Sequence, residues 1–149
     1  MKKIFLLFLF IFIISGCNNS ANTKFSKLQI KNKIINIEIA NTVKARKQGL
    51  SGRANLCEDC GMLFIFKNKA VRSFWMNKMN FPLDMVWISN GTIKKITENA
   101  IIPVNNNIPI YSSEKKVNWV LEVNKGFCKK YNIKEGDKVK LLTIKKNDI

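Results

Sequence analysis

The chain has 149 residues, the size of one ordinary domain. It contains no histidine, which excludes Ser-His-Asp and Cys-His catalysis and removes the commonest metal ligand. Lys and Arg outnumber Asp and Glu by 26 to 10, for a formal net charge of +16. The lysines are scattered and no run exceeds two, so the charge reflects composition more than a dedicated patch.

The first residues read as a processing signal. Lys2 and Lys3 form a positive start, and Ile4 to Ile14 is an unbroken apolar run of eleven residues. That is short of the roughly 20 residues that span a bilayer core but suits the apolar region of a signal peptide. Ile14, Ser15, Gly16 and Cys17 follow, and they resemble the lipobox of bacterial lipoproteins, in which the cysteine is lipidated. The expected organisation is a signal peptide over 1–16, a lipidated Cys17 opening a polar tether over 17–27, and one globular domain over 28–149. Removing Lys2 and Lys3 with the signal would lower the charge from +16 to +14. An exported protein rarely meets nucleic acid, so no nucleic-acid partner is expected. Anionic lipid headgroups, acidic envelope polymers or an acidic protein fit the charge better. Asn18 is not an acidic retention signal, which favours the outer membrane in a cell that has two.

Along the domain, Ile35, Ile37 and Ile39 alternate with Asn36 and Glu38, the pattern of a half-buried strand over 34–40. Thr42 can cap a short helix running to Gln48, with Gly49 to end it. Met62 to Phe66 and Arg72 to Met76 read as strands. Two β-rich runs, 84–89 and 92–97, flank Asn90-Gly91, a hairpin signal because both central residues of a type I′ turn need positive φ. Residues 117–123 read as strand, Asn124 as the cap of a helix over 125–131, Glu135 to Asp137 as a turn, and 138–144 as a last strand. The sum is a β-dominated α+β domain: a small barrel-like antiparallel sheet with one or two short helices.

Cys57 and Cys60 form a C-x-x-C. A thioredoxin-like site needs a helix after the motif, whereas strand-like residues follow here. A zinc site lacks an obvious fourth ligand. A local disulfide in an oxidising compartment is the favoured reading, with free thiols or pairing to Cys128 as alternatives. Cys128, beside Phe127 and one turn from Tyr131, reads as a small buried residue. No metal and no cofactor are expected.

Several segments then stand in series: Gly49-Leu50-Ser51-Gly52-Arg53, Gly61 to Phe66, Phe74-Trp75-Met76, Pro82-Leu83-Asp84, Leu121-Glu122-Val123 and Gly136-Asp137. In this order and spacing they resemble the domain-of-unknown-function-192 family of exported and membrane-associated prokaryotic proteins, over roughly residues 30–144. The resemblance implies one compact domain rich in antiparallel strands and implies no activity. The family pattern after Trp-Met usually runs Lys-Asn-Thr, whereas this chain has Asn77-Lys78-Met79.

Four side chains are candidates for binding a ligand. Asp84 opens an apolar strand, and a carboxylate there is costly unless paired. It is either a functional acid of raised pKa or a cap for backbone N–H groups. Glu122, set among Val120, Leu121 and Val123, could pair with Asp84, or with Arg53 or Arg72 as an ion pair. Trp75 is either a pocket wall or core. Arg53, like Arg72, suits an anion held by two hydrogen bonds, or a solvated or structural role. The leading expectation is a membrane-anchored, non-catalytic binding module for a polar or anionic envelope ligand. The alternatives are a hydrolase using paired carboxylates roughly 5 to 9.5 Å apart, and an assembly lipoprotein recognised by a large exposed apolar patch.

Overall fold

The computed structural model describes residues 26–105 and 107–142. The expected signal peptide, Cys17 and the first part of the expected tether lie outside the described residues, as does the part of the expected last strand beyond Leu142. Nine strands and two short helices are described. They are β1 (Ser26–Ile30), β2 (Lys33–Ala40), α1 (Val43–Gln48), β3 (Cys60–Ala70), β4 (Ser73–Trp75), β5 (Leu83–Ser89), β6 (Thr92–Ala100), β7 (Ile110–Ser112), β8 (Val117–Asn124), α2 (Phe127–Lys130) and β9 (Val139–Leu142). Ser26 and Lys27, read from sequence as tether, belong to β1 and pair with Ile37 and Asn36.

Seven strands form one curled sheet in the order β6-β5-β8-β3-β2-β1-β9. Its two ends approach each other. Thr92 bridges Lys138, and the Ile93 N–H donates to the Asp137 carbonyl at 3.0 Å. All pairings in this sheet are antiparallel except that of β2 with β3, which is parallel. A parallel pair cannot be joined by a tight turn. The crossover from Ala40 to Cys60 supplies the connection and carries α1. Asn90 (φ 48°) and Gly91 (φ 65°) make the β5–β6 turn, both left-handed as the Asn-Gly signal requires.

Alternation along the central strands sorts apolar side chains to two cores. Inside the curl lie Ile35, Ile37, Leu63, Val86, Ile88, Leu121 and Val123, plugged by Phe127 and Cys128 of α2. On the outer face lie Met62, Phe64, Met85, Trp87 and Val120, covered by the β4–β7 ribbon. Phe74 of the ribbon packs edge-on to Phe64 (centroids 4.8 Å apart) and Trp87 (5.5 Å). Every residue of β5 is buried because both of its faces are covered.

The second helix departs from the sequence reading. Gly126, with φ 78°, stands at its N-terminus, and the helix is confined to 127–130. Asn124 does not cap it. Its side-chain amide instead donates to the carbonyls of Leu56 (3.1 Å) and Cys57 (2.9 Å), holding the turn that enters β3.

Candidate functional site

The outer core is not closed. Between α1, the 49–51 turn, β3 and β4 is a cavity of about 270 Å³, just below the roughly 300–1,000 Å³ of small-molecule sites. α1 forms because the Thr42 hydroxyl accepts from the Ala45 N–H at 3.1 Å, and Gly49 ends it at φ 50°. This places Arg46, Lys47 and Gln48 along one wall. A side chain at 49 would press on the Phe64 ring, whose nearest atom lies 3.3 Å from a built Cβ. Phe64, Phe74 and Trp75 supply the aromatic walls, and Glu122 lies at the base.

Glu122 points outward on β8, in register between Met62 of β3 and Met85 of β5. It is 5% exposed. Among the described residues nothing donates a hydrogen bond to its carboxyl, and burial alone pushes its pKa up to about 8. At neutral pH it is therefore mostly the acid, with one O–H donor and acceptor capacity to offer a ligand. It is the only carboxylate among the described residues lining the cavity.

Arg46 and Lys47 make the lining cationic, and Arg72 lies near it across Phe66. Arg46 donates to the carbonyls of Asn41 (2.6 Å) and Ile65 (3.0 Å) while lying 5.0 Å from the centroid of Phe66. Arg72 lies over the same ring at 4.0 Å. Burial, and then the charge of Arg46, hold the Arg72 guanidinium below its ordinary pKa. No carboxylate pairs with either arginine among the described residues. The groove continues past Trp75 to Lys44, Lys47 and Lys78.

Of the sequence candidates, Trp75 and Glu122 meet in this cavity. Asp84 does not. It is fully buried on the opposite face, where its two oxygens accept from the backbone N–H groups of Asn99 and Cys128, each at 3.0 Å. The Asp84–Glu122 pair, one of the alternatives open from sequence, does not form, because one residue of register separates them and sends them to opposite faces. Arg53 is also elsewhere, gripping both carboxylate oxygens of Glu38, the second at 2.8 Å. Each partner draws the other's pKa towards the charged form, Glu38 down and Arg53 up. Cys57 and Cys60 are joined by a disulfide with Cα atoms 5.1 Å apart. Cys128 is a free thiol, buried, and burial holds it well above its ordinary pKa. No group of three His, Cys, Asp or Glu that could hold a metal occurs among the described residues.

Sequence reasoning passed over Arg46, Lys47, Phe64 and Phe74 as site residues. The available signal was positional. Four of the segments that carry the family resemblance, around 49–53, 61–66, 74–76 and 121–123, come from distant parts of the chain and converge on this cavity.

The chain belongs to the domain-of-unknown-function-192 family (DUF192), described as an uncharacterized ACR, whose model matches residues 26–141. It is similar to a proposed transcription regulator from Sinorhizobium meliloti, with 30% identity over 80% of this chain and 95% of that one and a TM-score of 0.74. It also shares its fold with a protein of unknown function from Novosphingobium aromaticivorans, with 24% identity, 82% and 89% coverage and a TM-score of 0.74. No curated protein is a significant match.

Proposed function

We propose that this chain is an exported, lipid-anchored binding protein whose Glu122 pocket takes a small anionic ligand with an apolar or ring-shaped body. The observation that carries this reading is Glu122 itself. A carboxyl only 5% exposed, with no donor among the described residues and facing a cavity, is costly in a purely structural role unless a ligand or water meets it. Here it lies at the base of a cavity walled by Phe64, Phe74 and Trp75, with Arg46 and Lys47 along the wall. A ring would pack on the aromatic walls, a hydroxyl or carbonyl would hydrogen-bond the neutral Glu122, and the anionic group would meet the guanidinium of Arg46. The leader ending at Cys17 supports export and anchoring. With no histidine in the chain and one carboxylate in the pocket, binding is favoured over hydrolysis by paired carboxylates.

The test is a thermal-shift panel of uronic acids, sugar phosphates and aromatic carboxylates on the mature chain and on Glu122→Ala. A ligand that binds only the folded state raises its melting temperature by mass action. The expected result is a rise with at least one compound that disappears in Glu122→Ala. No rise across the panel, or a rise that survives the substitution, refutes the reading.

A further inference from the structure

We infer that the outer face of the β4–β7 ribbon, with Val104 and Ile108, docks on an anionic phospholipid bilayer. The ribbon carries apolar side chains on both faces, with the Ser73–Ser112 pair at its other end. Phe74 and Tyr111, paired across it, turn inward and pack on the outer core. Trp75 and Ile110, the next pair, turn outward and are 53% and 68% exposed. Opposite partners in an antiparallel pair share a face, so these two form one uncovered apolar patch beside Ser73 and Ser112. The loop before β7 adds Val104, 57% exposed, and Ile108.

Charge decides the occupant. The groove beside Trp75 is lined by Lys44, Lys47 and Lys78, and the groove beside Ile108 again by Lys78. Neither contains an acidic side chain among the described residues. An apolar patch that includes a tryptophan, bordered by Lys44, Lys47 and Lys78, matches the interface of an anionic membrane: the apolar side chains enter the headgroup region and the ammonium groups meet the phosphates. Reach is compatible, on the lipid-anchor reading. The chain between Cys17 and Ser26 extends at most about 30 Å, comparable with the diameter of a domain this size, so an anchored domain can lay this face on its own membrane. The docking surface does not depend on the pocket being a binding site. If both hold, Trp75 sits at the junction, and the pocket opens beside the headgroup layer.

The test is vesicle sedimentation with the mature chain carrying Cys17→Ser, so that no lipid anchor contributes. Vesicles of phosphatidylcholine alone are compared with vesicles containing phosphatidylglycerol. The expected result is at least tenfold tighter binding to the anionic vesicles, a blue shift of tryptophan emission that Trp75→Phe removes, and at least tenfold loss of binding in Ile110→Asp. Ile110 is exposed, so the melting temperature of that variant should match the parent. Lys78→Glu provides a second variant with the same expected direction. No binding to anionic vesicles overturns the inference. Binding that Ile110→Asp leaves intact also overturns it, because scattered lysines alone would then account for the attraction. The pocket is read independently by thermal shift with small anions, so the two proposals can fail separately.

Discussion

Asp84 and Glu122 stand on neighbouring strands and serve opposite faces of one sheet. Asp84 is in register with Val123, while Glu122 is in register with Met85. That one-residue offset gives the two buried carboxyls different roles. Asp84 has backbone N–H groups for both of its oxygens, and Glu122 has none among the described residues.

Glu122 makes stability depend on pH in a stated direction. Its ordinary pKa is 4.5, and in the folded protein burial moves it to about 8. Between those values the folded state binds more protons than the unfolded one. The contribution of the neutral acid is therefore full below about pH 4.5 and is lost as pH rises through about 8. Glu122→Gln stays neutral throughout. Its stability relative to the parent should rise by a few kcal/mol between about pH 5 and about pH 9, since each tenfold change in proton affinity corresponds to about 1.4 kcal/mol. Denaturant melts at the two pH values measure this. An unchanged difference would mean that the carboxyl titrates normally.

The Asp84→Ala variant should lose roughly 3 kcal/mol or more, because the buried N–H groups of Asn99 and Cys128 lose a charged acceptor. Chemical denaturation measures the loss. The response of the pocket to ligand should persist wherever the variant remains folded, since Asp84 acts on the other face. A neutral effect on stability would contradict the assigned capping role.

Replacing Gly61 with alanine should cost roughly 1–3 kcal/mol through overpacking. A built Cβ there lies 2.8 Å from the Glu122 carbonyl and 3.0 Å from Leu121 Cδ1. The first contact is backbone, so β3 and β8 must part beside the pocket base. A fall in melting temperature together with weakened ligand response is expected. A variant as stable as the parent would show that the strands yield easily.

Much of the fold is legible from local pattern. Alternation over 34–40, Asn90-Gly91 and the Thr42–Gly49 pair each specify structure through neighbours in sequence, and all three are found. Short strands β1 and β7 escaped because three to five residues carry too little periodicity. Parallel pairing of β2 with β3 escaped because it is set by a long crossover. The site was half legible for the same reason. A carboxyl among apolar residues looks alike on either face, so Asp84 and Glu122 were indistinguishable until pairing fixed their sides. Trp75 stood out by its chemistry, whereas Phe64 and Phe74 looked like any core aromatic. Arg53 drew attention as a possible anion ligand, but its partner Glu38 lies on another element.

The most direct test of the Glu122 pocket is an NMR titration of the isotope-labelled mature chain with small ring-bearing anions at about pH 6, where the acid is neutral. The predicted result is saturable shifts concentrated on the amides of Gly49, Leu50, Ser51 and Phe74, absent in Glu122→Ala. Shifts scattered over exposed lysines, or pocket shifts that survive Glu122→Ala, would contradict a binding site built on Glu122.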